Sequence, residues 1–207
     1  MNRIAIIAGG GKLPLVWAEE ASRKGNKLTA FPVQGEDTYS LEEYAGDIYQ
    51  INIGDLDKLI NTLLKEGIDK AVLMGKVRKE KLFNKFKPDR RMKKLLAGLD
   101  NLQDDRILKG IVNELESEGI RVLKQYRYIE DLLPGEGLLT SEEPGSDLTA
   151  DMKFGLKKAK EIGRLDIGQT VIVKNKAVIA VEAVEGTDRA IKRGGRLGGS
   201  DTVMAKV

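Results

Sequence analysis

The chain has 207 residues, 32% charged and 41% hydrophobic, with a net charge of +3, enough for one large or two small domains around a buried core. No stretch approaches the roughly 18 apolar residues of a membrane-spanning helix. Cysteine and histidine are both absent, which excludes disulfides, thiolate nucleophiles, Cys/His zinc sites and imidazole proton shuttles.

Acid–base chemistry therefore falls to carboxylates, Lys, Tyr or water on a hard cation such as Mg²⁺. The chain enters directly on "RIAIIA" (3–8), with no signal-peptide pattern, so a cytoplasmic location is expected. Five consecutive apolar positions, Ile4–Ala8, predict a central parallel strand covered on both faces. Pro14 suits the first turn of a helix running to about Lys24, with Gly25 as its left-handed stop. Further strands are predicted at 27–33, 47–53, 70–75 and 120–125, and amphipathic helices at 54–67 and 104–119. Strand and helix in alternation imply a parallel sheet with right-handed crossovers. Near 134 the composition shifts to Gly, Pro, Ser and Glu, followed by a helix over 147–162 and a hairpin over 169–184 turning at Lys174–Lys176. The expected organisation is a first domain over 1–134, a linker over 135–145 and a second domain over 146–207.

"IAGGGKLP" invites a dinucleotide reading that its spacing refuses. Gly9 and Gly11 fit G-x-G-x-x-G, but Pro14 stands where the third glycine belongs. The acids Glu36 and Asp37 come too late after the second strand to grip a ribose. The phosphate-loop pattern fails as well, because Ile6 replaces its first glycine and Leu13 follows Lys12. Glycines after a parallel strand still let backbone N–H groups approach an anion at a helix N-terminus, with Lys12 adding charge. A tight turn without a ligand is the plain alternative.

Charge is unevenly spread. Lys76–Lys94 holds ten Lys/Arg and two acids, leaving the remainder with 25 basic and 30 acidic residues. Leu82, Phe83, Phe86, Met92, Leu95 and Leu96 are interleaved with these cations. The mixture suits an anionic membrane surface, nucleic acid, though no such motif is present, or a solvated face above a core. Asp104 and Asp105 precede a helix, as a cap or as acids. In "VEGTDRA" (184–190), Glu185 and Asp188 flank Gly186 and Thr187 after an apolar strand. That is a ligand-facing strand end, or a turn in which Asp188 caps the next helix.

Taken together, "IAGGGKLP", "LMGKVRK", "DDRIL", "GRLDIGQTVIV" (163–173) and "AVEAVEGTDRAI" (180–191) resemble the UDP-2,3-diacylglucosamine pyrophosphatases of the LpxI type. The resemblance implies an α/β fold: a Rossmann-like parallel-sheet N-terminal domain plus a smaller α/β C-terminal domain, with the nucleotide lipid held between them. It implies hydrolysis of the substrate pyrophosphate to UMP and lipid X by water attack on the α-phosphorus, with Mg²⁺ as cofactor, in lipid A biosynthesis. Carried over as substrate contacts are Gly9, Gly10, Gly11, Lys12, Leu13, Gly75, Lys76, Val77, Arg78, Gln169, Thr170, Gly186 and Thr187. Asp188 and Glu185 are expected to position metal or water. Members of that family continue past the equivalent of Val207, so the main catalytic Asp is expected beyond it. Peripheral attachment to the inner membrane is expected, nucleic-acid binding is not, and a homo-oligomer is left open. The alternatives are a non-catalytic binder of nucleotide sugar or lipid and, further off, an NAD(P)-dependent oxidoreductase.

Overall fold

The computed structural model describes residues 3–36, 39–77, 87–99 and 104–207, with 104 and 105 as backbone only. The chain divides into two compact units, Met1–Pro134 and Gly135–Val207.

In the first unit β1 (Arg3–Ala8), α1 (Leu13–Arg23), β2 (Lys27–Pro32), β3 (Ala45–Ile48), α2 (Leu56–Lys65), β4 (Lys70–Met74), α3 (Arg90–Ala97), α4 (Asp104–Ser117) and β5 (Arg121–Val122) follow in order. The strands make one parallel sheet, β3-β2-β1-β4-β5. This is the parallel α/β sheet expected from the alternating pattern and the Rossmann-like first domain implied by the resemblance, and its order reverses between β1 and β4. Both faces of β1 are covered, so its run is apolar rather than alternating. Ile4, Ile6 and Ala8 pack with Trp17, Ala18 and Ala21 of α1, whereas Ala5 and Ile7 pack with Phe31, Ile60, Leu63 and Leu115.

Two strands are shorter than their sequence suggests. The third, expected over 47–53, is Ala45–Ile48, and beyond it Ile51 pairs with Val33 through a single bridge. Between them Tyr49 N still donates to Ala30 O at 2.9 Å, while its ring stacks on Phe31 at 5.5 Å and its hydroxyl donates to Glu66 at 3.0 Å. The fifth, expected over 120–125, is two residues long. Beyond it the chain turns so that Tyr128, in the left-handed region at φ 79°, meets the edge of Trp17 at 5.4 Å.

The second unit contains α5 (Ser146–Arg164), β6 (Thr170–Lys174), β7 (Ala177–Val181), α6 (Thr187–Gly198) and β8 (Val203–Lys206), with an antiparallel sheet ordered β7-β6-β8. The β6–β7 turn is Asn175–Lys176, both at positive φ (51° and 56°), the twist that suits a two-residue hairpin. Asp151 of α5 accepts both turn amides, at 2.7 and 2.6 Å. Val171 and Val173 face Ala159 of α5, while Ile172 between them faces Ala190 of α6. Strand β8 had no signal of its own, since "VMAK" is too short to declare a period. Among the described residues no helix is long and apolar enough to cross a membrane.

Candidate functional site

Strands β1 and β4 end side by side, and the loops after them are bonded to each other. Gly9 N donates to Met74 O (2.8 Å), Gly10 N to Lys76 O (2.7 Å) and Lys76 N to Gly10 O (2.9 Å). No side chain fits between these loops. A Cβ on Gly75 would stand 2.8 Å from Gly10 O, and one on Gly9 would stand 2.7 Å from Lys76 O. Gly75 also sits at φ 89°, a conformation that only glycine adopts without strain.

The amides of Gly9 and Gly10, expected to face a phosphate, are therefore spent on loop pairing. The open donors are the next three. The amides of Gly11, Lys12 and Leu13 have no acceptor among the described residues, and no side chain caps α1. Pro14 brings no further donor. With Lys12 exposed beside them, these amides form a positive rim at the point where the strand order reverses. Lys76 and Val77 are exposed next to it; Arg78 lies outside the described residues.

In the second unit, β7 leads through 182–186 into α6. The residue that the sequence did not flag here is Glu182. Its side chain is 13% exposed. Oε1 accepts the Thr187 hydroxyl at 2.8 Å, and that hydroxyl accepts Lys206 Nζ at 2.8 Å. Burial alone would raise the Glu182 carboxyl, but the hydroxyls of Thr170 and Thr187 and the Lys206 charge hold it below the usual carboxylate range. Thr170, expected as a substrate contact, is fully buried beside Glu182. Neither its hydroxyl nor Glu182 Oε2 has a hydrogen bond of normal geometry. The only hint in the sequence was a carboxylate placed directly after the apolar run of β7.

Glu185 and Asp188 are in different situations. Glu185 Oε1 pairs with Arg193 at 2.5 Å and Oε2 accepts Ala183 N at 3.1 Å. Its carboxyl is lowered by its own backbone amide first, then by Arg193 and the Ala183 amide, against the effect of burial. Asp188 is exposed and has no partner among the described residues. It does not cap α6, whose N-cap is Gly186 at φ 83°; it lies in the first turn. Thr187 is already committed to Glu182 and Lys206, while Gln169 is exposed.

Mg²⁺ in phosphate sites is held by one or two carboxylates together with substrate phosphate oxygens and water. Asp188 fits that mode, whereas Glu185 would first have to release Arg193. Among the described residues no group of three or more carboxylates forms a cage on its own.

Residues 78–86 of the basic segment lie outside the described residues, as do the side chains of Asp104 and Asp105. In the described part, Met92 and Leu95 point into the core while Arg90, Lys93 and Lys94 are exposed.

Residues 3–132 match the family model described as the LpxI N-terminal domain, and residues 135–207 match the LpxI C-terminal domain. The chain is 33% identical over 196 residues to the UDP-2,3-diacylglucosamine pyrophosphatase LpxI of Caulobacter vibrioides, covering 93% of this chain and 69% of that protein. Similar solved structures include a UDP-glucose-4-epimerase from Stenotrophomonas maltophila with bound NAD and formylated UDP-arabinopyranose. It has a TM-score of 0.40 and 13% identity, over 58% of this chain and 35% of that one. Another is L-threonine dehydrogenase from Phytophthora infestans, with a TM-score of 0.37 and 12% identity, over 58% and 34%. The chain spans about a third of the length of each, and likenesses this distant carry no weight for function.

Proposed function

The chain belongs to the LpxI family, and from that membership we propose that it hydrolyses the pyrophosphate bond of UDP-2,3-diacylglucosamine in lipid A synthesis, yielding UMP and 2,3-diacylglucosamine 1-phosphate. The observation that carries the reading in this chain is the amide rim of Gly11, Lys12 and Leu13, which has no acceptor among the described residues and suits the uridylyl phosphates. Lys12 and Lys76 add positive charge where the pyrophosphate is negative.

Water attacks the α-phosphorus: a P–O bond forms to the water oxygen, the bridging P–O bond breaks, its electron pair leaves with the sugar 1-phosphate, and the proton lost by the water passes to solvent or to the departing phosphate. In the second unit Asp188 would hold Mg²⁺, and the ion would supply charge neutralisation to a phosphoryl group. Glu182 with Lys206 holds the Thr187 turn from which Asp188 projects.

The test is incubation of the protein with UDP-2,3-diacylglucosamine and Mg²⁺. UMP release is expected, abolished by chelator, with label from H₂¹⁸O found in UMP. Binding without turnover would overturn the hydrolase reading in favour of a non-catalytic carrier.

A further inference from the structure

Helix α5 of the second unit presents an apolar line to solvent in addition to the side that packs on its sheet. Asp151, Gly155 and Ala159 recur every four residues on the packed side, and all three are buried. The approach there is close: a Cβ on Gly155 would stand 3.0 Å from Ala205 Cβ and 3.2 Å from Val173 Cγ2. Alongside them Leu148, Met152 and Leu156 recur with the same spacing, yet they stay 36%, 42% and 43% exposed. Next round the helix come Lys153, Lys157 and Lys160, all exposed, and none has a partner among the described residues. At about 100° per residue, the sector from Leu148 to Lys157 covers roughly half the circumference and contains no acid. Its remaining cation, Arg164, pairs with Glu161 at 3.4 Å. Asp147 and Glu161 lie outside the sector, and Asp151 is turned under the hairpin.

A partner for this sector must take positive charge and hydrocarbon side by side. A second copy would bring the same unpaired lysines face to face. A nucleic acid would satisfy the lysines, but the sector offers its bases no aromatic ring to stack on. An anionic lipid surface answers both halves, with phosphates for the cations and a headgroup–acyl boundary for the apolar line. We infer that this sector of α5 faces a membrane, with Leu148, Met152 and Leu156 resting among lipid headgroups and Lys153, Lys157 and Lys160 drawn to their negative charge. The attraction is chiefly electrostatic, because the three apolar side chains are already more than half covered and have little further surface to lose. This surface is distant in sequence from the basic segment at 76–94, and it works whatever reaction the chain performs.

The chain has no cysteine, so one substitution gives one labelling site. The test uses the whole chain as Leu156→Cys and, separately, as Arg196→Cys on the exposed side of α6, each carrying an environment-sensitive dye. The probe is vesicles of phosphatidylcholine with and without phosphatidylglycerol, some with brominated acyl chains as quenchers. Quenching is expected at position 156, well beyond that at 196, and only where phosphatidylglycerol is present. Lys153→Glu with Lys157→Glu should weaken vesicle binding about thirtyfold or more, whereas the same reversal at Lys93 and Lys94 should weaken it less. Equal quenching at 156 and 196 would overturn the assignment, and so would a greater loss from the Lys93 and Lys94 pair. Wild-type protein that ignores phosphatidylglycerol vesicles would overturn it as well. If that protein bound a single-stranded oligonucleotide instead, and the Lys153 and Lys157 pair abolished the binding, the sector would be a nucleic-acid surface.

Discussion

Gly75 shows how much one missing Cβ decides. At φ 89°, with backbone atoms of Gly9 and Gly10 within 3 Å of where its Cβ would sit, it meets groups that cannot rotate aside. Gly75→Ala is expected to destabilise the first unit by about 1–3 kcal/mol and to weaken UDP binding, read by urea unfolding and by titration calorimetry. Gly11, at φ 98° with open space around it, carries only the backbone strain of substitution, so Gly11→Ala should cost less. Glu182 makes a prediction in pH. Its folded carboxyl is lowered relative to an unfolded Glu near about 4.3. Its stabilising contribution is therefore complete above that value and lost as pH falls through the folded one. Glu182→Gln should flatten the decline of the unfolding midpoint below about pH 5. Glu185, lowered in the same direction, keeps the remaining slope from vanishing. A wild-type slope in the Gln variant would contradict the assigned pairing.

At the scale of elements, α2 and α3 start against each other and cap reciprocally. Asp89 Oδ1 accepts Met92 N of α3 at 2.9 Å, while its Oδ2 accepts Asp57 N of α2 at 2.5 Å. Asp57 Oδ2 in turn accepts Arg91 N at 3.2 Å, and its Oδ1 accepts Arg91 Nε at 3.1 Å. Arg91 NH1 reaches Glu118 at 2.6 Å, just past the C-terminus of α4. One carboxylate thus serves two helix N-termini, so Asp89→Ala should cost about 2 kcal/mol, the upper end for a cap, in equilibrium unfolding. A loss near zero would mean that water replaces both contacts. Asp57 and Asp89 are far apart in sequence, and neither the helical period nor local cap chemistry pairs them.

For the whole molecule, the basic segment sets the expected mode of association with membranes. Met92 and Leu95 belong to the core, while in the described part the cations Lys76, Lys87, Arg90, Lys93 and Lys94 are exposed. We therefore propose that any attachment to anionic vesicles is electrostatic. Co-flotation is expected to fall sharply as salt rises from about 0.05 to 0.5 M, where screening shortens to a few ångströms. Flotation that persists at high salt would point instead to inserted hydrocarbon side chains.

By itself the sequence determined the alternation of strand and helix, the apolar character of β1, the two-residue hairpin region near Asn175 and the family resemblance. These depend on period and composition within short windows, which any segment carries with it. The missing histidine and cysteine likewise narrowed the chemistry, through composition alone. Only the tertiary structure decided that the Gly9 and Gly10 amides pair with the β4 loop while those of Gly11, Lys12 and Leu13 find no acceptor among the described residues. It also decided that Glu185 is held by Arg193, that Thr170 is buried and that Glu182 shares its turn with Lys206. The physical reason is that a donor's partner is set by sheet register and by which backbones approach closely, and both arise between segments distant in the chain.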